Sequence, residues 1–286
     1  GGIISQDNAI RRITYNPGSP AIFNFERLVE DKGIFAPLSM VRGGDRTFFI
    51  GTDGFKMVLP GGYPQPIGYN KVDRTFFDDV DDSNLQLCIG ASDPKAGIAY
   101  FAYKSRSGAS GLFDKIIGYD WNLNKFFPVS VSGEYIASLA QPGVTLEGLD
   151  SINSSIDALT FSLDDVTTAA FPKIAAFNSD HKVGFFSGSN LEATMVTAEK
   201  GGDGRRLRIK GFRPVTDAGT VYGSVFKKET SQATGAYSTE VVMNSIGVVP
   251  HNISTRYGRG KLRIPASTTW TYTIGIEPVT GLEGKR

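Results

Sequence analysis

Short apolar segments that stop at Asp, Asn or Gly and resume as a second apolar segment recur along this chain. That pattern restricts it to a fold built from β-hairpins. Phe48-Phe49-Ile50 runs into Thr52-Asp53-Gly54 and returns through Phe55-Lys56-Met57-Val58. Asp-Gly between apolar runs is a strong hairpin signal, because glycine adopts the positive φ of a tight turn. Ile116-Ile117-Gly118-Tyr119 turns at Asn122-Leu123-Asn124 into Phe126-Phe127-Pro128-Val129. Ile174-Ala175-Ala176-Phe177 turns at Ser179-Asp180-His181 into Val183-Gly184-Phe185-Phe186. Between them, Ile98-Ala99-Tyr100-Phe101-Ala102-Tyr103 reads as another strand. Helical periodicity is scarce. The 34 Gly, 19 Phe and 11 Tyr fit this picture, glycine supplying turns and aromatic residues favouring strands.

Two segments break the pattern. Residues 72–79, followed by Ser83-Asn84-Leu85-Gln86-Leu87, predict one or two short helices with Asp81 or Ser83 as cap. Leu146-Glu147-Gly148-Leu149-Asp150 is echoed by Ile156-Asp157-Ala158-Leu159 and Ser162-Leu163-Asp164, which predicts a folded Leu/Asp-rich insertion near 145–165.

From about Leu191 charged and apolar residues alternate, and six strands are expected at 191–199, 205–215, 220–227, 239–244, 261–264 and 270–276. Arg206-Leu207-Arg208-Ile209-Lys210 shows the alternation of a strand with one wet face and one buried face. The net charge shifts at the same place. Residues 1–199 carry 16 Lys and Arg against 23 Asp and Glu, a balance of −7, and residues 200–286 carry 14 against 6, a balance of +8. A length of 286 residues suits one large or two ordinary domains. The expectation is an all-β chain: hairpins over 1–189, then an antiparallel sandwich-like domain over 190–286.

The residue chemistry points away from catalysis. His181 and His251 are the two histidines; both read as exposed turn or loop residues, without the spacing of a zinc site. No G-x-S-x-G elbow is present. Gly258-Arg259-Gly260-Lys261 lacks Walker spacing and reads as a basic turn. Asp78-Asp79-Val80-Asp81-Asp82 lacks the turn Gly and distal Glu of a calcium loop and reads as a solvated acidic loop or helix end. Cys88, the lone cysteine, allows no internal disulfide and reads as a small buried hydrophobe. No apolar run approaches the ~18 residues of a membrane helix, so no membrane insertion is expected. No catalytic, cofactor or metal site is expected. Arg206, Arg208 and Lys210 share one strand face, which suits phosphate or an acidic partner subunit, or an edge protected by charge. With Arg259 and Lys261 they are the candidate subunit or DNA contacts.

Longer strings carry a resemblance. Ala9-Ile10-Arg11-Arg12-Ile13-Thr14-Tyr15 is followed by Phe23-Asn24-Phe25, Gly33-Ile34-Phe35-Ala36-Pro37, Asp53-Gly54-Phe55, Pro66-Ile67-Gly68 and Val72-Asp73-Arg74-Thr75-Phe76-Phe77. Phe161-Ser162-Leu163-Asp164, Ala175-Ala176-Phe177-Asn178-Ser179-Asp180-His181 and Gly184-Phe185-Phe186-Ser187-Gly188 complete the series. In this order they resemble phage and prophage virion proteins similar to the packaged-DNA stabilisation and tail-hub, or nozzle, β-propeller proteins of short-tailed phages. The resemblance runs from about residue 9 to the region of residue 270. It implies a β-propeller subunit in the tail or neck of the virion, assembled in the host cytoplasm. Copies would form a ring, a hexamer by resemblance, beside the portal or adaptor and other tail proteins, with packaged double-stranded DNA passing through. Residues 1–189 are too few for six or more blades of ~40–50 residues, so an incomplete or degenerate propeller is expected. Two other readings stand beside this one. Trp121 and Trp270 near turns suit a host-glycan-binding propeller or adhesin. Scattered carboxylates suit a propeller glycosidase or lyase.

Overall fold

The computed structural model describes residues 2–140, 155, 172–186, 188–201 and 205–282. The Leu/Asp-rich repeat near 145–165 lies outside the described residues but for Ser155. Among the described residues the structure is all-β, with 52% strand and 7% helix and no sheet closed into a barrel. That helix share is far below the third or so usual in globular domains. Two compact units follow one another, Gly1–Phe186 and Ser187–Arg286.

The first unit is a series of antiparallel meanders of consecutive strands. β1 (Gly2–Ser5), β2 (Ala9–Tyr15) and β3 (Phe23–Glu30) form one sheet; β4 (Val41–Gly43), β5 (Arg46–Gly51), β6 (Gly54–Val58) and β7 (Gln65–Pro66) form the next. β8 (Ile89–Asp93), β9 (Ile98–Tyr103), β10 (Lys115–Asp120) and β11 (Lys125–Val129) form a third, and β12 (Tyr135–Ala140), β13 (Pro172–Phe177) and β14 (Val183–Phe185) a fourth. The expected hairpins are β5–β6, β10–β11 and β13–β14.

Alternate residues of each strand enter different cores, which explains why strands such as β5 and β9 lack polar residues in the middle. Phe49 packs with Ile10, Leu28 and Val58 between the first and second sheets. Phe48, Ile50 and Phe55 pack with Phe101, Tyr103, Ile117 and Tyr119 between the second and third. Ile89, Ala102 and Ile116 pack with Ile136 and Ile174 between the third and fourth. A strand buried on both faces reads as a continuous apolar run, not an alternating one. Phe55 meets Phe76 and Phe101 edge-to-face, with both ring centroids 5.1 Å away. Burying each such ring contributes about 1.5–3 kcal/mol relative to exposure.

The first strands of successive meanders also touch. Ser92 on β8 donates its Oγ to the Arg42 carbonyl on β4, and its backbone N–H donates to Ser138 Oγ on β12. Ser138 Oγ in turn donates to the Ser92 carbonyl at 2.5 Å.

The helix α1 (Asp73–Asp79) and a 3-10 segment, Asp82–Leu87, link the second and third sheets. Asp81 caps the latter, its side chain accepting from Ser83 N–H. The Asp73 carboxylate accepts the Phe55 N–H at 3.0 Å and pins the β5–β6 turn to α1. A Cβ on Gly54, which sits at φ +123°, would fall 2.2 Å from Asp73 Oδ2, so this hairpin needs glycine twice over.

The second unit has two antiparallel sheets. The larger runs β15 (Ala193–Val196), β22 (Tyr257–Ile264), β18 (Tyr222–Lys228), β19 (Ala236–Tyr237); β16 (Lys200–Gly201) joins β22 and β20 (Val241–Val242) joins β18. The smaller runs β21 (Val249–Thr255), β17 (Leu207–Thr216), β23 (Thr273–Leu282). Ile209, Phe212 and Val249 from the smaller sheet share one core with Val225, Leu262 and Ile264 from the larger. β16, β19 and β21 were not legible as strands in the sequence. The first two have two residues each, and β21 carries Pro250 and polar residues.

Candidate functional site

The five candidate cations lie on different sheets of the second unit. Arg206 precedes β17, Arg208 and Lys210 lie within it, and Arg259 and Lys261 lie within β22. Arg208 and Lys210 are exposed and Ile209 is buried, as the alternation predicted, while Arg206 and Leu207 are both half-buried. They are not equivalent. Arg206 NH2 donates to Glu229 at 2.7 Å and its Nε to Ser254 Oγ at 3.2 Å. Arg208 Nε donates to Asn252 Oδ1 at 3.0 Å. Lys210 occupies a β-bulge: pairing with both β21 and β23 jumps from Ile209 to Gly211. A bulge re-aims the side chain it carries.

Gly258-Arg259-Gly260-Lys261 corrects the expectation of a basic turn, because all four residues lie inside β22. Glycine serves close packing here. A Cβ on Gly258 would stand 3.0 Å from Ile209 Cδ1 of the opposite sheet. Glycine in a strand often marks such a close approach.

The alternation in β22 sends Leu262 and Ile264 inward and Tyr257, Arg259, Lys261 and Arg263 outward. Their β18 partners across the ladder are Lys228, Phe226, Ser224 and Tyr222. A row of cations over rings results. Lys228 Nζ sits 5.8 Å from the Tyr257 ring centroid and Arg263 Cζ 4.6 Å from that of Tyr222. Arg259 Cζ lies 4.3 Å from the Phe226 centroid and 5.5 Å from that of Tyr237, while Lys261 Nζ lies 5.6 Å from the same Tyr237 ring. Phe226 is backed by Gly235, where a Cβ would fall 2.2 Å from Phe226 Cζ.

The two ends of the row are neutralised. Lys228 pairs with Glu199 at 2.9 Å, and Arg263 pairs with Glu240 at 2.8 Å and Glu192 at 3.1 Å. Hydrogen bonds to Glu240 and Glu192 raise the Arg263 pKa above its ordinary value. Among the described residues, Arg259 and Lys261 in the middle have no acidic partner, and Arg259 Nε is a buried nitrogen without a hydrogen-bond acceptor.

The other candidates make contacts within the chain. His251 is not a loop residue: it lies in β21 and stacks on Phe212 with 5.8 Å between centroids. Its Nε2 is buried without a partner. Burial lowers its pKa, opposed by a backbone hydrogen bond to Gly223. His181 is exposed in its turn, its Nδ1 2.7 Å from Glu134. The acidic run is engaged rather than merely solvated. Asp79 accepts from Lys115 Nζ at 2.7 Å and Tyr103 Oη at 3.0 Å, and Asp81 accepts from the buried Lys104 at 2.6 Å. Burial pushes the Asp79 pKa up, but the Lys115 and Tyr103 hydrogen bonds outweigh it and lower the value. Cys88 is buried, its thiol pKa pushed up to about 12 by burial and then by Asp81, so a reactive thiolate is disfavoured. Trp121 stacks on Phe48 at 5.2 Å and Trp270 packs on the second unit's core. Among the described residues no cluster of three or more His, Cys, Asp or Glu is placed to hold a metal ion. No described helix is long and apolar enough to cross a membrane.

Comparison with protein-family models and with curated proteins yields no match to this chain.

Proposed function

We propose that this chain is a non-enzymatic structural subunit of a phage virion at the head–tail junction. Assembled in the host cytoplasm as a ring of copies, six by resemblance, it extends the DNA channel below the portal or adaptor and helps retain packaged DNA. The sequence resemblance supplies the setting. The observation that carries the architecture is the serial stack of meanders in Gly1–Phe186, whose first strands β4, β8 and β12 meet through Arg42, Ser92 and Ser138. Blades of a propeller stack face to face in chain order around a centre, and an incomplete or degenerate propeller accounts for both features. The two antiparallel sheets that share a core in Ser187–Arg286 are sandwich-like. Imaging of intact particles tests the proposal. A ring on the channel axis is expected, and isolated, non-touching copies or peripheral fibres would defeat it.

A host-glycan-binding module is the second reading. Its support moves from the packed tryptophans to β2–β3, where Tyr15, Phe23 and Phe25 are exposed and share one face by register. Glycan-array binding that is lost on Phe23→Ala with Phe25→Ala would favour it.

A further inference from the structure

We infer that the outer face of the β15–β22–β18–β19 sheet is a contact surface for the acidic unit of a second copy of this chain, with Arg259 and Lys261 at its centre. The inference rests on the ring reading above and names the surface that makes the contact.

Three observations carry it. The first is the uncompensated charge. Arg259 and Lys261 have no acidic partner among the described residues, whereas Lys228 and Arg263 on either side are paired within the chain. Both are nevertheless held in place, Arg259 over Phe226 and Tyr237 and Lys261 over Tyr237. Stacking restrains the side chain before any partner arrives, and with Arg259 Nε buried it is the terminal guanidinium nitrogens that are left to meet a carboxylate.

The second is the apolar surface around them. Val196 lies across the ladder from Lys261, Val242 from Tyr222 and Tyr237 from Phe226, and they are 45%, 49% and 40% exposed. Tyrosine and arginine beside exposed apolar side chains is the composition of a protein contact. A phosphate backbone would leave the two valines unused.

The third is charge complementarity within the chain itself. Residues 187–286 carry 14 Lys and Arg against 8 Asp and Glu, a balance of +6, and residues 1–186 carry 16 against 21, a balance of −5. In the first unit Asp7 and Asp31 are exposed and have no cation partner among the described residues. They line one surface cavity of about 420 Å³ with Gln6, Asn8 and the Arg27–Glu30 pair. Two unpaired carboxylates on one unit and two unpaired cations on the other suit a head-to-tail contact, which closes into a ring when repeated by rotation.

The test uses the full chain in sedimentation velocity over a concentration series at low and high salt. Self-association that weakens with salt is expected for the wild type. Arg259→Glu with Lys261→Glu, and separately Asp7→Lys with Asp31→Lys, should each weaken it by at least about tenfold. An equimolar mixture of the two variants should associate again, because each restores the other's missing charge. Arg259→Gln with Lys261→Gln, checked by circular dichroism, gives the same loss without introducing repulsion. A wild type that stays monomeric, variants that associate like the wild type, or a mixture that fails to recover would overturn the inference. So would a loss confined to binding of a random-sequence DNA duplex, which would make the face a phosphate contact. None of these results removes a ring seen in particles, so the two readings fail separately.

Discussion

Asp73 and His251 are side chains whose burial works against their charge. Asp73 has its pKa raised by burial, opposed by the hydrogen bond from Phe55 N–H. An amide oxygen would accept the same N–H without a charge to desolvate. Asp73→Asn is therefore expected to unfold in urea at close to the wild-type midpoint, whereas Asp73→Ala should lose about 1–3 kcal/mol by leaving the N–H unpaired. An alanine variant as stable as wild type would mean that this bond does not hold the turn. His251 has a lowered folded pKa, so folding favours its neutral form. Its contribution is complete above the unfolded value of about 6.5 and is lost as pH falls from there through the depressed folded value. Denaturation at pH 8 and pH 5 should show the loss in the wild type and a smaller one in His251→Gln. Equal losses would place the acid sensitivity elsewhere.

At the level of elements, two packing arrangements decide the geometry. Phe76 joins α1 to both neighbouring sheets, meeting Phe55 at 5.1 Å and Tyr103 at 5.0 Å between ring centroids. Phe76→Ala is expected to cost about 3–5 kcal/mol, since the site is lined by rings that cannot collapse freely. A cost below 1 kcal/mol, read from urea unfolding, would show that α1 is not anchored there. The second arrangement is the Phe226 ring between Gly235 and Arg259. Gly235→Ala should displace the ring and destabilise the chain by about 1–3 kcal/mol, as overpacking does. The same substitution should weaken self-association, because Arg259 loses its support; unchanged association would separate the ring stack from the contact.

For the whole molecule the question is where charge goes in the particle. A channel that must pass DNA holds it least when its wall is acidic or neutral, since each Lys or Arg contact to phosphate adds sequence-independent affinity. The acidic part of the chain, residues 1–199 at −7, is proposed to contribute more to that wall than the basic remainder. Charge reversal at Arg206 does not isolate an intersubunit role, because it breaks the 2.7 Å pair with Glu229 in the same chain. Reversal at Arg259 and Lys261 breaks no ion pair among the described residues, and their ring contacts are controlled for by the Gln variants. Particles carrying it should assemble poorly, while those that form retain and eject DNA normally. Normal assembly with leakage of the genome would instead assign these cations to DNA.

What the sequence determined by itself was local. The Asp-Gly turn at Asp53-Gly54, a helix cap at Asp81 or Ser83, the strand nature of the 98–103 run and the outward row of Arg206, Arg208 and Lys210 follow from backbone preference and alternation, which act within a few residues; the structure chose Asp81 as the cap. Tertiary structure decided everything that depends on what faces a residue. Gly258 and Gly260 read as turn residues because glycine usually relieves backbone strain, yet Gly258 makes room for Ile209 of the opposite sheet. His251 read as a loop residue because Pro250 precedes it, yet that strand pairs with β17. Arg206 and Arg259 are indistinguishable as letters in basic strings. Only the fold brings Glu229 to the first and leaves the second on an aromatic ring without an acid, because charge compensation depends on neighbours that are distant in sequence.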